Sequence, residues 1–171
     1  MVNVSKSIKS LGTESAFEVL ARAEKLSSAG HKIINLGIGQ PDFKTPVEVI
    51  EAAMKALKDG HHGYTSATGI LPLREAIAAD LLKRHKAKIN PERIVVVPGG
   101  KPSIFFAILM FGARGNEIMY PNPGFPIYES VINYTGATAV KVPIKEQNSF
   151  SITADSVLER ITERTRLIIL N

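Results

Sequence analysis

Apolar residues first recur at helical spacing over residues 13–29, where Phe17, Leu20, Ala21, Ala23 and Leu26 fall near one face and Gly30 supplies a stop. Lys32–Leu36 then reads as a short β-branched strand opening into the loop Gly37-Ile38-Gly39-Gln40-Pro41. A second helix is predicted over 47–58, led by Pro46 and closed by Gly60. Its stripe is Val49, Ile50, Ala53, Met54 and Leu57. A polar loop at 61–69 precedes a third helix over 71–87, with Leu73, Ile77, Leu81 and Leu82 on one side.

The pattern changes at Ile94-Val95-Val96-Val97, an unbroken β-branched run suited to a strand covered on both faces. It ends at Pro98-Gly99-Gly100. The next helix, about 102–112, is apolar on every side and so predicts a buried helix. Strand 117–120, helix 126–134, strand 137–144, helix 153–161 with Thr153 as N-cap, and a buried strand 167–170 complete the series. Alternation at these intervals predicts an α/β fold with a largely parallel sheet; the first helices and the 61–69 loop stand outside its repeating part.

Composition narrows the chemistry. The 171 residues are 44% apolar and 22% charged, an ordinary globular composition that argues against a disordered chain. Cysteine is absent, removing disulfides, zinc–thiolate sites and cysteine nucleophiles, and a reducing cytoplasm fits best. No run approaches the ~18 apolar residues of a membrane span, and the N-terminus lacks the apolar core of a signal peptide. The net charge is +5, but acids interleave with bases nearly everywhere. The densest cluster, Lys83, Arg84, His85, Lys86 and Lys88, closes a helix where cations suit the dipole, so it reads as a solvated helix end and not as a nucleic-acid patch. His31, His61, His62 and His85 have no metal-ligand spacing and read as surface residues.

Ligands of open α/β sheets lie beyond the carboxyl ends of the strands, so the informative loops follow Leu36, Val97, Tyr120 and Leu170. In Val97-Pro98-Gly99-Gly100-Lys101-Pro102-Ser103, two glycines allow close approach of a ligand. The helix N-terminus and Lys101 favour phosphate there. A plain glycine turn with an exposed lysine fits the spacing equally. A Walker A loop does not fit, because Val95 stands where its first glycine belongs and Pro102 follows the lysine. In Pro121-Asn122-Pro123-Gly124-Phe125-Pro126, three prolines hold Phe125 at a helix start. There it either stacks on a flat ring or staples the helix entrance.

Together these loops resemble the class I/II aminotransferases, the aspartate-aminotransferase-like, fold-type-I enzymes that depend on pyridoxal 5′-phosphate (PLP). INLGIGQPDFKTP is similar to the family's substrate loop, GYTSATGILPLREAIA to its tyrosine-containing segment and VVVPGGKPSIFFA to its phosphate cup. EIMYPNPGFPIYESVINYTGATAVKVPI is similar to its ring-stacking loop and RLIILN to the strand before its Asn-Pro-x-Gly loop. The resemblance implies an incomplete three-layer αβα fold with a mainly parallel sheet. Residues 1–45 would be an arm and substrate loop of the small-domain region, and 46–171 the first part of the large cofactor-binding domain. It implies that Gly99, Gly100 and Lys101 hold the cofactor phosphate, that Phe125 stacks on its ring, and that the Gly39 N–H meets the substrate carboxylate. Tyr64 would reach the phosphate of the neighbouring subunit's cofactor in a homodimer.

The family's Schiff-base lysine, its aspartate at the pyridine nitrogen, its ring-oxygen asparagine and its substrate-clamping arginine would all lie beyond Asn171. The implied reaction transfers an amino group between an amino acid and a 2-oxo acid. The isolated 171 residues are expected to be inactive, an expectation that turnover by them alone would overturn. The rival readings are a non-catalytic α/β phosphate-binding module, a truncated relic, or the same part of a related PLP carbon–sulfur lyase.

Overall fold

The computed structural model describes residues 5, 8, 11–12, 15–37 and 39–171. The expected helix start at 13–14, the Phe17 side chain and Ile38 lie outside the described residues. The chain forms two compact units, Met1–Ile38 with Gly100–Asn171, and Gly39–Gly99.

The first unit holds α1 (Ser15–Ser28), α4 (Lys101–Phe111), β1 (Glu117–Asn122), α5 (Ile127–Thr135), β2 (Thr138–Pro143), α6 (Ala154–Leu158) and β3 (Thr165–Ile168). The second holds α2 (Val47–Lys58), α3 (Leu71–His85) and a 3₁₀ turn at Pro91–Arg93. The helix boundaries follow local chemistry. Pro46 caps α2, Gly60 adopts φ +88° after it, and the Thr153 hydroxyl accepts the Ser156 N–H at 3.2 Å to open α6. The basic cluster closes α3, where Arg84 pairs with Asp80 at 2.8 Å and Lys86 takes the left-handed conformation. All four histidines are exposed.

β1, β2 and β3 form a parallel sheet in the order β2-β1-β3, an incomplete αβα fold. The β1–β2 register runs from Glu117↔Thr138 to Asn122↔Pro143. The β1–β3 ladder is irregular after Glu117↔Thr165 and resumes at Ile118↔Leu167. Glu117 to Pro121 are all buried, as expected of a central parallel strand. Pro121 is tolerated because β3 pairs only as far as Met119, leaving β1 a neighbour on one side there. Ile108, Ile118, Tyr120, Tyr128, Val131, Ile132 and Ala137 form the core, so α4 and α5 bury their apolar faces with the central strand.

Four expectations need correction. Ile94–Val97 and Lys32–Leu36 are not strands; Val95, Ile34 and Leu36 are largely exposed. A β-branched run favours extended backbone, but a strand also needs a hydrogen-bonded neighbour, and no strand pairs with either run among the described residues. Helix α4 is not buried all round. Ile108 is fully buried, whereas Phe106 and Met110 are 58% and 77% exposed on faces that no described element of that unit covers. The last strand also begins earlier than expected and ends before Leu170, which is exposed.

Candidate functional site

Strand order reverses at β1: the chain passes from β1 through α5 to β2 on one side, then through α6 to β3 on the other. Parallel sheets bind ligands in the crevice at such a switch point, beyond the carboxyl ends of the strands. The segment occupying that position is Asn122-Pro123-Gly124-Phe125-Pro126.

Its shape is set by its own residues. The Asn122–Pro123 peptide is cis. Gly124 is tightly constrained, because a Cβ there would fall on the Pro121 carbonyl oxygen. Pro126 caps α5 without any side-chain hydrogen bond, and the Tyr128 N–H donates to the Phe125 carbonyl at 3.0 Å. The half-buried Phe125 ring is thereby held at the mouth of the sheet. Lys101 comes to the same place from the start of α4, with its Nζ 5.6 Å from the Phe125 ring centroid, within cation–π range.

The N-terminus of α4 carries no side-chain cap. Gly100 is its N-cap residue, and the Ser103 hydroxyl donates back to the Gly100 carbonyl at 2.7 Å. The positive dipole end of α4 thus lies at Lys101, a combination that favours an anion. A Cβ on Gly100 would meet nothing within 4 Å, so the approach is open. An open pocket of about 280 Å³ adjoins these groups, lined among others by Lys101, Phe105, Pro126, Ile127 and Ser130. The Gly12 N–H donates to the Ser130 hydroxyl at its rim, at 2.7 Å.

Lys141 pairs with Glu129 at 3.0 Å across β2 and α5. The Tyr120 hydroxyl is buried, with the Glu129 carboxylate close enough to act on it. Burial, then that carboxylate, raises the Tyr120 pKa. The Tyr120 hydroxyl and Lys141 hold the Glu129 carboxyl below the usual carboxylate range.

The structure brings Gly100, Lys101 and Phe125 together in the first unit. Gly39, Tyr64 and Gly99 belong to the second. Gly39 is exposed, with open space where a Cβ would stand. Gly99 adopts φ +82°, a left-handed value that suits glycine. Tyr64 is fully exposed and lines an open pocket of about 820 Å³ with His61, Ser66, Ile70 and Pro72. Sequence reasoning missed two residues that support these positions. Arg74 donates to the carbonyls of Gly69 (3.2 Å) and Pro91 (3.1 Å), bracing the end of the Tyr64 loop. Tyr128 packs edge-to-face on Phe125, and its i+3 spacing in a helix-start segment was the available signal.

Residues 31–171 match the family model described as aminotransferase class I and II. The chain belongs to this family. The class I and II aminotransferases are PLP-dependent enzymes of fold type I. Relatives include a probable aspartate/prephenate aminotransferase of Aquifex aeolicus, 37% identical over 90% of this chain and 39% of its own length. Another is a (5-formylfuran-3-yl)methyl phosphate transaminase of Methanocaldococcus jannaschii, 34% identical over 98% of this chain and 43% of its own length. Among solved structures, Thermus thermophilus aspartate aminotransferase with maleate superposes with a TM-score of 0.92. It is 29% identical and covers 100% of this chain and 45% of that one. The chain thus spans less than half the length of these aminotransferases. No helix among the described residues is long and apolar enough to cross a membrane.

The residues present fit the family's cofactor. A phosphate suits the uncapped α4 N-terminus with Lys101, and a flat aromatic ring suits the half-exposed face of Phe125.

Proposed function

We propose that this chain supplies the phosphate-binding and ring-stacking part of a PLP-dependent aminotransferase, acting on an amino acid and a 2-oxo acid in the cytoplasm as a homodimer. One observation carries the reading. In a chain of this family, the uncapped start of α4 and the Lys101 ammonium stand beside the Phe125 ring at the sheet's switch point. Gly99, Gly100 and Lys101 would hold the cofactor phosphate by backbone N–H groups and charge. Phe125 would cover one face of its ring and exclude water from it. The Gly39 N–H would bind the substrate carboxylate, and Tyr64 would bind the phosphate held by the partner subunit. When bound, pyridoxal phosphate supplies the electron sink that stabilises negative charge at the substrate Cα.

The reading is tested by equilibrium titration of pyridoxal phosphate into the intact protein. Lys101→Ala is expected to raise the dissociation constant about ten- to a hundredfold, the scale of losing one charge-assisted hydrogen bond. Inorganic phosphate should compete less well in the variant than in the parent. Equal affinity in parent and variant would remove Lys101 from the site.

A further inference from the structure

We infer that Tyr128 is a positioning residue for the site proposed above: its buried ring fixes the orientation of the Phe125 ring before any cofactor binds. The inference rests on that reading for its functional meaning, but its geometry is present in the chain alone.

Phe125 poses a physical problem. Pro126 restricts the backbone of Phe125, yet it does not restrict rotation of its side chain. The ring is only half-buried and so is not held by close packing on all sides. A half-exposed phenylalanine ordinarily samples several orientations, and each disordered orientation would weaken a stacking contact by the entropy of ordering it.

Tyr128 supplies what the backbone does not. It lies one helical turn on, and its N–H hydrogen bond to the Phe125 carbonyl ties the two residues at 3.0 Å. The two ring centroids are 5.8 Å apart with an interplanar angle of 84°, within the range of favourable edge-to-face aromatic pairs. Tyr128 can hold its neighbour because it is itself held. Its ring is 3% exposed and belongs to the core cluster, and it meets the equally buried Tyr120 ring at 6.4 Å and 61°. The result is a ladder of three rings rising from the central strand to the mouth of the sheet. Lys101 stands beside its top ring. The contact is made by the ring and not by the hydroxyl, so phenylalanine should replace Tyr128 while leucine should not.

The experiment uses the intact protein with its seven phenylalanines replaced by 4-fluorophenylalanine. Phe125→Leu assigns the Phe125 fluorine signal by its disappearance. In the cofactor-free protein that signal is expected well away from the unfolded position. It should stay there in Tyr128→Phe, where the eighth fluorine signal is assigned to position 128 by its persistence when Phe125→Leu is added, and move towards the unfolded position in Tyr128→Leu. The pyridoxal phosphate dissociation constant should follow, unchanged in Tyr128→Phe and about two- to tenfold higher in Tyr128→Leu. A Phe125 signal unmoved by Tyr128→Leu overturns the inference. Where Tyr128→Leu does not fold, by circular dichroism, the other two proteins decide. A displaced signal in both supports the clamp, and an unfolded-like signal in either overturns it. If Phe125→Leu binds pyridoxal phosphate as tightly as the parent, the stacking reading fails instead, a failure separate from that of the cofactor-free fluorine signals.

Discussion

Glu117 opens the central strand with a charge, yet only 4% of it is exposed, and it is the one charged residue among the buried described residues. Burial of a carboxylate is costly unless it is paired and hydrogen-bonded. Here the Thr162 hydroxyl donates to Oε2 at 2.6 Å, and Arg164 donates to Oε1 through Nε at 2.8 Å and Nη2 at 2.5 Å. The Thr162 hydrogen bond first, then the Arg164 guanidinium, hold the Glu117 carboxyl below the usual carboxylate range. A depressed folded-state pKa means stability that is present above the unfolded value of about 4.5 and lost as pH falls through the lower folded value. Urea midpoints measured across pH should therefore show Glu117→Gln less stable than the parent at neutral pH. The gap between the two should close as pH falls below about 4.5. Nothing local marks Glu117 in the sequence, because its guanidinium partner stands 47 positions away.

At the scale of elements, α4 separates composition from environment. Its run of apolar residues predicts burial on every side, but its packing in the first unit is with α5, the sheet and the shared core. Ile108→Ala should therefore cost about 2–4 kcal/mol, the range for emptying a fully buried aliphatic position. Met110→Ala, at a position 77% exposed, should fall within about 0.5 kcal/mol of the parent. Thermal or urea unfolding of the two variants checks both. The strand-like runs at 32–36 and 94–97 teach the same lesson. Residue type sets a preference for extended backbone, whereas a strand is a property of two chain segments. The elements with caps and stops inside their own sequence, α2 and α6 above all, were legible at their starts because those signals act within one helical turn.

For the whole molecule, the topology is what turns separate motifs into a site. The β2-β1-β3 order makes β1 central and sets the loop after it at the switch point, and Lys101 reaches that loop from a different element. Tyr64 raises the question of a second subunit, since its ring is fully exposed within its own unit. If it acts in the partner's site, co-assembling Tyr64→Ala chains with Lys101→Ala chains should restore one parental-affinity pyridoxal phosphate site per mixed dimer. Neither variant alone would have one. Titration of the mixture should then be biphasic, and a single weakened phase would place Tyr64 in its own subunit's site. The helix-forming segments, the glycine and proline turns and the family motifs are written in residue type and spacing, because the forces that set local structure act between near neighbours. The pairing of strands, the exposed faces of α4, the buried Glu117 and the meeting of Lys101 with the ladder Phe125–Tyr128–Tyr120 depend on segments far apart in the chain. Only the packed fold brings those segments within reach of forces that fade over a few ångströms.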